Sequence, residues 1–143
     1  MHDDPTHLTV RPYTPDDAAM VAEWWNWRHS SQFPEAILPP LGVIVCDESG
    51  PMAALWCYEC YGIGVAMLEG AIARPMLSLA HSTEAFKLAV KACIALAGKS
   101  VEPPAEFKLF RAFTIPSIAR ILRQMGFETD ETMCVSSILY TPN

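Results

Sequence analysis

The chain has 143 residues, of which 51% are hydrophobic and 18% charged, with a formal net charge of -6. That composition excludes a disordered chain, and the length suits a single domain over residues 1–143 that buries its own core. An acidic balance with scattered Lys and Arg argues against nucleic acid as a main partner, although an anionic small molecule needs only a local pocket of donors.

MHDDPTHLTV at the start has neither the basic residues nor the apolar run of a signal peptide. The longest apolar region, residues 61–80, is interrupted by Glu69, Arg74 and Pro75, so no membrane association is expected. Five cysteines, an odd number with no secretion signal, read as reduced thiols in the cytoplasm.

Residues 8–13 (LTVRPY) predict a first strand. TPDD follows as a helix start, with Thr14 as cap, Pro15 at the first helical position and Asp17 three residues after the cap. The helix runs through AAMVAEWWNWRHS, with Met20, Trp24 and Trp27 on one face, and Val21 and Trp25 widening it. Core packing explains Trp24 and Trp27 as readily as a pocket wall does, and Trp25, Arg28 and His29 are the better candidates for an exposed, functional edge. SSQFPEAILPP reads as a loop or a short second helix, because its prolines exclude a long one.

GVIVC, MAALWCYEC and IGVAMLEGAIA predict three strands joined by short turns, an antiparallel meander. RPMLSLA connects them to a helix over residues 81–98 that is apolar nearly all round and so expected to be well buried, with Ser82 as its cap and Gly98 at its end. FKLFRAFT alternates as a strand. Residues 115–125 carry apolar groups at helical spacing and stop at Gly126, and residues 133–140 predict a last strand. The result is a mixed α+β fold.

Two motifs carry little. CYEC has metal-ligand spacing but no second ligand pair, and in a strand its cysteines point to opposite faces, so no metal is expected. YGIG lacks the third glycine and the helix of a dinucleotide fingerprint.

This order of elements, with LTVRPYTPDDAAMVAEWW, the meander and IPSIARILRQMGFE, resembles the GNAT superfamily of acyl-CoA-dependent N-acyltransferases. The resemblance implies a central, mostly antiparallel sheet with helices on both faces and a splay between strands four and five. It implies acetyl-CoA as the cofactor, with its arm in the splay along Leu68, Gly70 and Ile72 of the fourth strand. Its pyrophosphate would sit on the amides of Ala80, His81, Ser82 and Thr83 at the next helix N-terminus, with Lys87 one turn on. A carboxylate takes the amine proton. Glu69 on the fourth strand and Glu59 on the third are the candidates, and each also reads as an ordinary solvent-facing strand position.

The sequence departs from the family in two places. ARPMLSLAHSTEA has no glycine where the family carries a Gly-x-Gly or Gly-x-Ala pattern after an Arg or Gln, and Ser82 there serves equally as a plain cap. Counting back from Gly126-Phe127, the family's asparagine falls on Ile115 and its proton-donating tyrosine on Leu122. Tyr140 is a remote substitute. Two functions follow. One is acetyl transfer to a small-molecule or peptide amine. The other is a non-catalytic GNAT-fold module that has lost CoA and binds a partner in a multi-protein or phage-type assembly. A groove filled by Met76, Leu77 and Leu79 favours the second, and an open splay beside Glu69 favours the first. The edges of a splayed sheet suit a homodimer.

Overall fold

The computed structural model describes residues 7–130. The expected last strand and Tyr140 lie outside the described residues. Among the described residues five strands form one sheet in the order β1-β2-β3-β4-β5: β1 Thr9–Pro12, β2 Leu41–Asp47, β3 Gly50–Cys60, β4 Val65–Ala73 and β5 Leu109–Ala112. The first four pair antiparallel as a meander, and β5 joins β4 in parallel. Parallel pairing needs a crossover, and α2 (Leu79–Leu96) supplies it. The remaining helices are α1 (Ala18–Asn26) and α3 (Pro116–Gln124).

Strand alternation divides the core into two layers. Val43, Val45, Leu55, Cys57, Ala66 and Leu68 face α2, whose Ala85, Ala89, Val90 and Cys93 pack on them. Ile44, Ala54, Trp56 and Ile72 face the other way, under Val21 and Trp24 of α1 and Phe33 of the loop that follows. Burying a side chain of this size contributes about 1.5–3 kcal/mol each, which is why both sheet faces are covered.

Asp17 fixes the entry to α1. Both of its oxygens accept hydrogen bonds from the Arg11 guanidinium, at 2.9 and 2.7 Å, and Oδ2 also accepts the Thr14 N–H at 2.9 Å. The turn over Pro15–Asp17 is 3-10, and the α-helix proper begins at Ala18.

Three expectations are corrected. Trp27 is 66% exposed, because α1 ends at Asn26 and carries it past the sheet, whereas Trp24 is buried. α2 is not buried all round, since Ile94 and Leu96 are exposed on its outer face. Its cap is Ser78, not Ser82. Ser78 Oγ accepts the His81 N–H at 3.2 Å, and Ser82 lies inside the first turn with its hydroxyl donating to Leu79 O. The two serines stand one helical turn apart, so local pattern does not choose between them.

Candidate functional site

β4 and β5 pair only as far as Leu68 and Ala112. β4 then continues to Ala73, while the chain after Ala112 turns away into α3. Along residues 69–73 the β5-side edge of β4 has no strand beside it among the described residues. Main-chain N–H and C=O groups on such an edge are strong, unspent hydrogen-bonding groups.

A bulge falls at the same point. Register slips between the pairs Ala54–Ile72 and Trp56–Glu69, which leaves Leu55 opposite Gly70 and Ala71. Gly70 has φ +78°, and a Cβ there would come within 2.8 Å of Trp56 Cε3. Glycine is therefore required both by the backbone and by the indole.

A cavity of about 240 Å³ opens in this gap. It connects the two faces of the sheet. Glu69 and the end of α1 line one side; Leu68, Phe86 and Leu122 line the other, and Phe113 closes the lining from the end of β5. Glu69 pairs directly with Trp56, so it projects on the α1 face. There it meets a preformed aromatic wall. Trp25 and His29 are stacked with ring centroids 3.8 Å apart, and Trp25 Nε1 donates to Ser31 O at 2.9 Å. Tyr58, two residues from Trp56 on the same face, donates to Ile37 O at 2.7 Å. Burial, and then the charge of Glu69, hold its phenol above the ordinary tyrosine value.

The structure brings together Leu68, Glu69, Gly70, Trp25 and His29 around the cavity. Arg28 is exposed on α1's end and does not line it. Ile72 is buried beneath α1. Glu59 lies elsewhere, near the far end of β3. Its Oε2 accepts the Gly98 N–H at 2.7 Å and the Tyr61 hydroxyl at 2.9 Å, tying the β3–β4 turn to the end of α2. Phe86, Phe113 and Thr114 also line the cavity, and sequence patterning had no signal for them beyond ordinary core or strand positions. Ile115 and Leu122, the positions counted from Gly126-Phe127, do line it.

Ala80, His81, Ser82, Thr83 and Lys87 sit on the first turns of α2, outside the cavity. The His81 amide is taken by Ser78 Oγ and the Ser82 amide by Ser78 O. The Thr83 amide lies within the helix, which leaves those of Leu79 and Ala80 at the open end. Just before them, Met76 adopts φ 70° and is 91% exposed. A glycine would take that left-handed conformation without strain. Arg74 points away from this loop, with its guanidinium donating to Asp47 Oδ2 and to Pro51 O, both at 3.0 Å. Burial pushes the Asp47 carboxyl up, but bonds from Arg74 and the Ser49 N–H outweigh it, and the net position is below the usual carboxylate range.

No family model matches this sequence, and no curated protein matches it. Solved structures do. The chain superposes on the Ard1 protein of Thermoplasma volcanium with a TM-score of 0.64 at 12% identity, covering 86% of this chain and 84% of that one. It superposes on an acetyltransferase of Trypanosoma brucei with a TM-score of 0.56 at 8% identity, over 92% and 99%. N-acetylglutamate synthase of Neisseria gonorrhoeae, solved with coenzyme A and L-arginine, gives 0.60 at 10% identity, over 87% of this chain and 28% of that one. The fold is that of the GNAT superfamily. Among the described residues no helix is long and apolar enough to cross a membrane.

Proposed function

We propose that this protein is a cytoplasmic N-acetyltransferase that moves an acetyl group from acetyl-CoA directly to an amine, with Glu69 as general base. One observation carries the reading. The cavity opens where β4 and β5 part, with a carboxylate on one side and, among the described residues, an unpaired stretch of β4 edge along it.

The residues fit the cofactor in two respects. The apolar gap and the open edge of residues 69–73 suit an amide-bearing pantetheine arm, which needs backbone partners and a dry channel. The phosphates have the Leu79 and Ala80 amides, at the positive end of an 18-residue helix. When bound, acetyl-CoA supplies an acetyl group activated as a thioester. The ammonium form first releases one proton to solvent, because only the neutral nitrogen can attack, and Glu69 accepts the second proton, which the nitrogen loses as the amide bond forms. Leu122 has no proton to give, so the proton for the leaving group would come from another residue or from solvent.

The groove is not plugged. Met76 and Leu79 are 91% and 80% exposed, Leu77 packs against the core, and none of the three lines the cavity, which favours the enzyme over a module that has lost its cofactor. Thermal unfolding with acetyl-CoA and with desulfo-CoA tests it. A ligand at a hundredfold excess over its dissociation constant adds about 2.7 kcal/mol to the folded state. A raised midpoint with both supports CoA binding; no shift at saturating concentration sinks the acetyltransferase.

A further inference from the structure

Among the described residues, the cavity is lined by one carboxylate, Glu69, one imidazole, His29, and one hydroxyl, Thr114. The other lining groups are apolar or aromatic side chains and the Gly70 backbone, and neither lysine nor arginine is among them. Arg111 lies on β5, with its guanidinium over the Phe113 ring, 5.2 Å from the centroid.

Each feature selects against a class of amine. A ligand carboxylate beside Glu69 meets like charge, and neither lysine nor arginine lines the cavity to offset it. A polyamine or an amino sugar brings further polar groups that find no second carboxylate among the lining residues. A single ammonium pairs with Glu69, and the net charge of -6 attracts it.

We infer that the acyl acceptor is a small primary amine with an apolar, preferably aromatic, body and no carboxylate, its ammonium on Glu69 and its ring against the Trp25–His29 stack. The fate of that amine rests on the acetyltransferase reading; its binding does not.

The test is calorimetric titration of the full chain with phenethylamine, phenylalanine and spermidine, with and without excess desulfo-CoA. Phenethylamine is expected to bind roughly tenfold or more tighter than the other two in at least one condition. Glu69→Gln, at an exposed position that should not disturb folding, is expected to weaken it by about tenfold or more. Trp25→Leu is expected to weaken it and Trp25→Phe to restore it. Equal or tighter binding of phenylalanine overturns the inference and gives Arg111 a carboxylate to hold. Preference for spermidine, or no phenethylamine binding at millimolar concentration, overturns it too. Phenethylamine binding without any acetyl-CoA stabilisation sinks the acetyltransferase and leaves the amine site standing; the reverse pattern sinks the amine site alone.

Discussion

Gly70 stands against Trp56. A Cβ on Gly70 would meet the indole at 2.8 Å from Cε3, and the Trp56 side chain is 1% exposed with no room to withdraw. Gly42 crowds the opposite edge of the same ring. The φ of +78° at Gly70 adds strain for any L side chain. Gly70→Ala is therefore expected to destabilise the protein by about 2 kcal/mol or more, read as a lower denaturant midpoint. An unchanged midpoint would mean that the bulge of β4 relaxes without cost.

Glu69→Gln keeps the shape of the side chain and removes the base. The acetyltransferase reading expects kcat to fall by about 10²–10⁴-fold. Acetyl-CoA stabilisation in thermal unfolding should persist, because the carboxylate is not needed to hold the arm. Glu59→Gln should leave turnover nearly intact and lower stability instead, since Glu59 ties Gly98 to the β3–β4 turn.

Ser78→Ala removes the cap of α2 and should cost about 1 kcal/mol. Ser82→Ala should cost much less, because its hydroxyl only donates back to Leu79 O within the first turn. The pair, compared by chemical denaturation, separates the two serines that sequence pattern could not. Equal losses would place the helix start elsewhere.

Asp17 gives a pH dependence of known sign. Hydrogen bonds from Arg11, opposed by burial and aided by the Thr14 N–H, hold its carboxyl below the usual range. A lowered native pKa contributes stability that is present above the unfolded value and lost as pH falls through the native one. Stability should thus decline more steeply in acid for the native sequence than for Asp17→Asn, measured as denaturant midpoint against pH. Parallel profiles would remove Asp17 from the acid response.

Cys57 and Cys93 are both fully buried, and burial pushes each thiol up to about 12. Thiolate is the reactive form. At neutral pH both should resist alkylation in the folded protein and react on unfolding, whereas the half-buried Cys46 and Cys60 should react first. The raised value also means that their contribution to stability is lost as pH rises past the unfolded thiol value of about 8.5. Mass mapping of the labelled sites decides it.

Strands β2, β3 and β4 were legible because each is an apolar run closed by turn residues, and β1 and α1 because Thr14, Pro15 and Asp17 punctuate them. Trp25, His29, Leu68, Glu69 and Gly70 were legible as site candidates through the resemblance of the whole order to one superfamily. Phe86, Phe113 and Thr114 were not. Each comes from a different element, and only the meeting of α2 with the end of β5 makes them neighbours. Glu59 misled because a carboxylate in an apolar strand looks the same whether it faces a ligand or caps a distant main-chain N–H.

By itself the sequence determined the kinds of element and their order, since these depend on period and turn chemistry, both local; helices on both faces of the sheet were implied only by the resemblance. Tertiary structure decided three other things: where β5 leaves β4, that Glu69 and the Trp25–His29 stack share one cavity, and that Ser78 caps α2. Each depends on distances between segments far apart in the chain, and no local pattern encodes a distance.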